Sequence, residues 1–200
     1  MWPVTLTEGD VVLRPLRLRD AKKWREVRSR NLHWLREWDA TLPIEANGNE
    51  GIPSYSAMVR RLGHEARHLR TLPWALAYQG RFVGQVTVGG IAWGSYRGGY
   101  IGYWIDEAVA GRGIMPTAVA MATDFCFLNL RMHRLEINIR PENQASKRVA
   151  EKLGYRYEGL RPQYLHINGQ WRDHDSFALV STEVPNGILP RWRAAQGLDS

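Results

Sequence analysis

The chain has 200 residues, 44% of them hydrophobic and 24% charged, with a formal net charge of +7. That length fits one domain with a real core, and the charge suits an acidic partner such as RNA, a ribosome or a phosphorylated cofactor. The single cysteine, Cys126, excludes a disulfide framework and a cysteine-rich zinc site, and no apolar run is long enough to span a bilayer.

The opening MWPVTLTEGD has no charged leader with an apolar core, so the expected location is the cytoplasm. VVLRPL reads as a first strand. Asp20 is placed to cap a helix from Ala21 to about Arg30, with Trp24 and Val27 three apart on its inner face. Eight basic residues fall between Arg14 and Arg30, against only Asp20 and Glu26. This basic N-terminal helix is either a contact for ribosomal RNA or a solvated face. NLHWLREWD continues helically, with Trp34 and Trp38 four apart. Residues 41–53 carry Pro43, Asn47, Gly48, Gly51 and Pro53 and read as a loop. SYSAMVRRLGHEARHL is a further helix, with Met58 and Leu62 at four-residue spacing.

PWALAY turns at Gln79-Gly80 into RFVGQVTVGGI, a hairpin by its signals, and GGYIGYWI is the next strand. AVAGRGIMPTA follows, then a long apolar helix to about Leu130 that holds Cys126 buried and inert. RLEINI alternates as a strand. NQASKRVAEKLG is a helix with Asn143 as cap and Gly154 as stop. YRYEGLRPQYLHING and QWRDHDSFALV form a last strand pair around Asn168-Gly169. The order gives a mixed α/β (α+β) sheet. Residues 1–184 read as the domain and 185–200, with two prolines and no period, as an appended tail.

The chemistry centres on AVAGRGIMPTA. Gly111 and Gly113 can adopt backbone angles closed to other residues. Their N–H groups, with those of Arg112, Ile114 and Met115, can point into one concavity at a helix start, where Pro116 costs no hydrogen bond. Arg112 can add a full charge. A phosphate cradle and a plain strand-to-helix turn both fit this signal.

The succession of strand, AGRGIMPTA, helix, HRLEINI and PENQASKRVAEKLGY resembles the GCN5-related N-acetyltransferase (GNAT) superfamily over roughly residues 10 to 182. LRPLRLRDA, GYWIDEAVAGRGIMPTAV and YLHINGQWRDHDSFAL are similar to its ribosomal-protein alanine N-acetyltransferases of the RimJ/RimL type. The family loop reads Gln/Arg-x-x-Gly-x-Gly/Ala; Gly111 and Gly113 match, and Ala108 stands at the first position.

The resemblance implies a mostly antiparallel sheet flanked by helices and splayed at the coenzyme A site. It implies acetyl transfer from acetyl-CoA to the α-amine of a protein N-terminus, with no metal and no membrane, in a monomer or homodimer. The coenzyme would lie along Trp104, Ile105 and Asp106 and over Gly111, Arg112, Gly113, Ile114, Met115 and Pro116. Asn143 and Ser146, three apart at one helix start, would face it, with Ser146 near the sulfur. Read without the resemblance, they are a helix cap and a first-turn polar residue.

Other members carry a tyrosine where this chain has Ala150, which moves the acid role toward Ser146. Relatives often have a glutamate as base just before IGYW; here it is Tyr100, and a phenol, with a reference pKa of about 10, is a poor base at neutral pH. Glu107 or Asp106 could substitute, or positioning alone could suffice. Trp34, Trp38 and Tyr164 are candidates for the acceptor slot. In RDHD, strand alternation separates His174 from Asp173 and Asp175, against a metal site or triad. A small-amine acetyltransferase and a module that binds acetyl-CoA or RNA without turnover are the competing readings.

Overall fold

The structure is a computed structural model that describes residues 2–43 and 54–197. One open sheet of eight strands runs through it: β1 (Leu6–Glu8), β2 (Val11–Pro15), β3 (Leu72–Tyr78), β4 (Arg81–Ala92), β5 (Gly98–Ile105), β6 (Arg134–Ile139), β7 (Arg156–Ile167) and β8 (Gln170–Val180). Their spatial order is β1-β2-β3-β4-β5-β6-β8-β7. Every neighbouring pair is antiparallel except β5 and β6, the two joined through a helix. The short β1 has no counterpart among the expected strands. The other seven match expectation, and Asn168 and Gly169 turn β7 into β8 with φ of 47° and 82°, the angles a two-residue hairpin needs.

The helices are α1 (Ala21–Arg30), α2 (Leu32–Leu35), α3 (Tyr55–Arg67), α4 (Ile114–Asp124), α5 (Gln144–Lys152) and α6 (Leu189–Ala195). α4 runs on into a π-helical turn over Phe125–Asn129, as far as the apolar run extends. It packs on one face of the sheet, with Ala118, Val119, Ala120 and Ala122 sealed against Val86, Ile101 and Leu135. Trp74, fully buried in this layer, meets Trp2 and Phe125 edge-on at 5.2 and 5.9 Å, a geometry that adds about 0.5–1.5 kcal/mol per pair to the burial. Cys126 is fully buried here, and burial pushes its thiol pKa up. On the other face, Val27 of α1 packs with Ala75 and Phe82 and against Trp24 and Trp104.

Several local expectations change. Asp20 does not cap α1 with its side chain. Its carboxylate turns back to accept from Arg17 N at 2.9 Å and from the Arg14 guanidinium at 2.7 and 2.8 Å. Burial alone would raise its pKa, but the Arg14 and Arg17 hydrogen bonds outweigh that and lower it. In α3 the inward stripe is Tyr55, Val59, Leu62 and Ala66, with Met58 only half-buried. From residue 44 to 53, the expected loop lies outside the described residues.

The tail, read from sequence only as an appendage without a period, contains a helix: α6 packs on α4. Trp192 is buried and its indole N–H donates to Thr117 Oγ1 at 2.8 Å. The Asp124 carboxylate accepts from the backbone N–H groups of Ile188 and Leu189 at 2.6 and 3.0 Å, satisfying the open end of α6. Arg193 pairs with Glu8, tying the chain's two ends together.

Candidate active site

The parallel pair β5–β6 is the feature that makes the site. The two strands are in register only at Gly98–Arg134, Gly99–Leu135 and Tyr100–Glu136. From Ile101 to Ile105, β5 pairs with β4 alone, and beyond Glu136, β6 pairs with β8 alone. A wedge therefore opens between them and exposes ladder groups of β5 that a further extended chain could satisfy. A cavity of about 1130 Å³ fills this wedge and reaches both faces of the sheet.

On the α4 side the cavity is bounded by the turn after β5 and by the starts of α4 and α5. Gly111 and Gly113 have φ of 79° and 78°, in the left-handed region that strains other residues. A Cβ at Gly111 would meet nothing within 4 Å, so the turn there is bare backbone facing open space. Ile114, Met115 and Pro116 continue the wall into α4, whose N-terminus adds a partial positive charge.

Asn143 caps α5 by accepting from Ser146 N at 3.0 Å. That fixes the Ser146 hydroxyl, which lies 2.7 Å from the Tyr103 hydroxyl. Burial pushes the Tyr103 pKa well above the usual phenol value, more than the bond to Ser146 lowers it, so Tyr103 stays neutral.

On the α1 side, residues directly opposite in the β4–β5 ladder share one face. Gln85 stands opposite Trp104, Thr87 opposite Gly102, and Gly89 opposite Tyr100. Tyr100 lies on the backbone of Gly89 and Gly90: a Cβ at Gly90 would come within 2.5 Å of its ring. Trp34 and Trp38 complete this wall with Leu62 and Glu65 of α3. The Arg140 guanidinium stacks 5.1 Å from the Trp38 ring and donates to Glu37 O at 2.8 Å.

The cavity thus brings together Trp34, Trp38, Tyr100, Trp104, Ile105, Gly111, Gly113, Ile114, Met115, Pro116, Asn143 and Ser146. Three expected site residues fall outside its lining. Asp106 is buried beneath it, where the Arg30 guanidinium, Asn31 Nδ2 at 2.8 Å and Ala108 N at 3.3 Å take up its carboxylate. Burial pushes its pKa up, but those partners prevail and hold it low. Arg112 folds its guanidinium back to Ala108 O at 3.3 Å, on the exposed side of the turn. Tyr164 sits on β7 against His174 at 5.8 Å and below the Arg161 guanidinium at 4.9 Å.

Among the described residues, each carboxylate lining the cavity has a partner: Asp39 with Arg28, Glu65 with Arg61, Glu107 with the His33 imidazole and Glu142 with Arg140. In RDHD, Asp175 pairs with Lys147 at 2.6 Å and Asp173 accepts from Gln163 N at 2.8 Å. Among the described residues no group of three His, Cys, Asp or Glu side chains could hold a metal, and no helix is long and apolar enough to cross a membrane.

Tyr103, Gln85, Thr87 and Gly102 escaped the sequence reading. The alternation of GYIGYWI carried the first signal, since it turns Tyr103 to the face opposite Tyr100 and Trp104.

Residues 10–156 match the family model described as an acetyltransferase (GNAT) domain. The chain belongs to the GNAT acetyltransferase family. It is an acetyl-CoA-dependent N-acetyltransferase. The GNAT chain is 37% identical to a solved structure described as Mycobacterium smegmatis RimJ in complex with CoA-disulfide, with a TM-score of 0.89 over 98% of this chain and 96% of that one. It is 30% identical to the probable N-acetyltransferase YjcK of Bacillus subtilis over 86% of this chain and 95% of the relative. It is 26% identical to the [ribosomal protein uS5]-alanine N-acetyltransferase of Escherichia coli over 92% and 94%.

The open eight-stranded sheet with its single parted pair is the architecture of this family. The residues present fit the coenzyme: a bare positive-φ turn at a helix N-terminus for phosphate, and a strand edge without a partner for an amide-bearing arm.

Proposed function

We propose that this GNAT enzyme acetylates the N-terminal α-amine of a protein, a ribosomal protein by the likeness to the uS5-alanine enzyme. The α4–α5 side of the cavity takes the coenzyme and the α1–α3 side takes the acceptor. The observation that carries this reading is the parting of β5 from β6. It is the one place where Ser146 and Tyr103, on one side, share a cavity with Trp34, Trp38 and Tyr100 on the other.

The N–H groups around Gly111 and Gly113 hold phosphate, and the free edge of β5 orients the acyl arm beside Ser146. β5 N–H groups facing the wedge stabilise charge developing on a carbonyl oxygen. Either hydroxyl of the Tyr103–Ser146 pair can donate; with the neutral Tyr103 as donor, the serine proton is free for the departing sulfur. A nitrogen–carbon bond forms, the carbon–sulfur bond breaks, Ser146 passes its proton to the departing sulfur, and the proton that the attacking nitrogen sheds restores the serine hydroxyl, so the transfer balances without a further base.

Among the described residues every lining carboxylate already has an ion-pair or hydrogen-bond partner, which leaves none free to deprotonate an ammonium before attack. That favours an α-amine, whose reference pKa near 8 leaves roughly a quarter neutral at pH 7.5, against roughly one in a thousand for a lysine. Holding both reactants in line supplies the remaining acceleration.

The test is release of free coenzyme A with peptides that begin with Ala, Ser or Met, with the same peptides blocked at Nα but containing lysine, and with small amines. Release with the free termini alone is expected. Release only with small amines would move the acceptor to another class, and no release despite coenzyme binding would leave a binding module.

A further inference from the structure

The described residues form a second concavity, an open groove of about 840 Å³ between the 3-10 turn at Leu18–Asp20 and α3. Arg17 and Arg19 stand on one wall, Arg60 and Arg67 on the other, and among the described residues no acidic side chain lines it. None of these four guanidiniums is in an ion pair with a described residue. Four other basic residues of the N-terminal segment behave differently. Arg14, Arg28 and Arg30 are drawn inward by Asp20, Asp39 and Asp106, and Lys22 stands 4.0 Å from Glu26. Lys23 and Arg25 are exposed on α1 and have no ion pair with a described residue either, so the surplus charge is shared between the outer face of α1 and the groove beside it, where four guanidiniums converge.

Asp20, already held by Arg14, is a nearby counter-charge for Arg17; four guanidiniums with so little opposing charge repel one another, a cost that a bound polyanion removes. A second feature points the same way. Gly63 lies between Arg60 and Arg67 on one face of α3, although a mid-helix glycine costs about 1 kcal/mol relative to alanine. Packing does not demand it: a Cβ there would meet nothing within 4 Å. Its effect is to leave bare helix backbone as the groove floor. The walls are fixed to each other, since the Tyr55 hydroxyl of α3 donates to Arg17 O at 3.0 Å.

We propose that this groove binds the sugar–phosphate backbone of RNA, without regard to sequence. Guanidinium forks match phosphate oxygens. Arg60 and Arg67 are two turns apart, about 10 Å along the helix axis, which suits successive phosphates of a strand and not one small anion. α3 also joins the groove to the acceptor mouth. Its opposite side carries Arg61, Leu62 and Glu65 into the large cavity, so the two openings are separated by one helix, about 10–12 Å across. Resting on the reading of the acceptor as a protein terminus, this places RNA where a tail leaving an RNA–protein particle would meet Trp34 and Trp38.

The experiment titrates the full chain into a fluorescein-labelled 20-mer of uridine and follows anisotropy from low to high KCl, with no acetyl donor present. Wild type is expected to bind with log K falling linearly in log salt, by about 0.7 per phosphate engaged. Arg60→Gln with Arg67→Gln should weaken binding about tenfold or more and flatten that slope by about one phosphate or more. Gly63→Glu keeps all four arginines and should weaken binding as strongly by placing a carboxylate on the floor. All variants should keep the wild-type melting temperature to within a few degrees and acetylate a short free peptide as wild type does. Unchanged affinity and slope in both variants would overturn the proposal. So would tighter binding of wild type to poly-glutamate or to phosphatidylserine vesicles than to the uridine 20-mer at equal salt. Because the RNA titration involves no acetyl transfer, failure of the peptide assay and failure of this one are separate results.

Discussion

On the proposed donor side of the cavity the walls are backbone: Gly111 and Gly113 at positive φ, the unpaired edge of β5, and the first turns of α4 and α5. On the proposed acceptor side they are side chains from four separate elements: Trp34, Trp38, Gln85, Thr87 and Tyr100. The difference teaches where selectivity resides. Backbone donors recognise phosphate and amide groups common to every coenzyme A thioester, and they tolerate little change in the chain that presents them. A wall of aromatic and polar side chains can be altered one residue at a time without disturbing the sheet, so the acceptor is the adjustable half.

The most severe test of the donor side is Ser146→Ala. If Ser146 delivers the proton to sulfur, turnover should fall about 100-fold while the Kd for coenzyme A stays within about twofold, since Asn143 still caps α5. Single-turnover kinetics beside a coenzyme titration separate the two. A parallel loss of affinity would make Ser146 a binding group.

Gly111→Asp comes next. The left-handed φ of 79° strains a side chain, by about 1–2 kcal/mol, and the carboxylate would face phosphate. Coenzyme affinity should fall about tenfold or more, by titration calorimetry. Gly111→Asn, which tolerates that backbone and carries no charge, should recover most of the loss. Equal damage from both would assign the effect to strain and not to charge.

Tyr103→Phe is milder. It removes the hydroxyl 2.7 Å from Ser146 Oγ and keeps the ring packed on the core. One hydrogen bond of about 0.5–1.5 kcal/mol sets the loss in turnover at up to about tenfold, again without loss of coenzyme affinity. In Ser146→Ala the same change should add nothing, because the two hydroxyls act as one unit. An additive double mutant would separate them.

This contrast also explains how far the sequence could be read. The donor side lies in two contiguous stretches, 104–116 and 143–146, so spacing alone placed Gly111 and Gly113 at a helix start and Asn143 as a cap. The side-chain directions of Asp106 and Arg112 in the same stretch were not legible, because they depend on Arg30, Asn31 and a fold-back to Ala108 O that no local pattern encodes. The acceptor wall is assembled by strand order and ladder register. Thr87 opposite Gly102 exists only once β4 and β5 are paired, so Gln85 and Thr87 gave no signal. Tyr164 resembled a slot residue but β7 lies beyond β8 at the sheet edge, outside the wedge. The tail hid its helix because its anchors are distant: Asp124 and Thr117 of α4 supply the capping and the Trp192 partner.

The smallest effect is expected at Tyr100, and it decides what that residue is. It occupies the strand position at which the family resemblance implies a carboxylate base, yet its ring lies on Gly89 and Gly90, whose lack of Cβ atoms makes the space. A residue that glycine backbone has been cleared to receive is a wall. Tyr100→Phe keeps the wall and removes the hydroxyl, so turnover on a free-terminus peptide should change by less than about twofold, within the spread of one weak hydrogen bond. Tyr100→Ala removes the wall and should raise KM for peptide while leaving coenzyme affinity alone. A large drop in kcat for Tyr100→Phe, deepening as pH falls below the amine pKa, would make the hydroxyl a participant in proton removal. In that case the acceptor side would carry chemistry as well as shape.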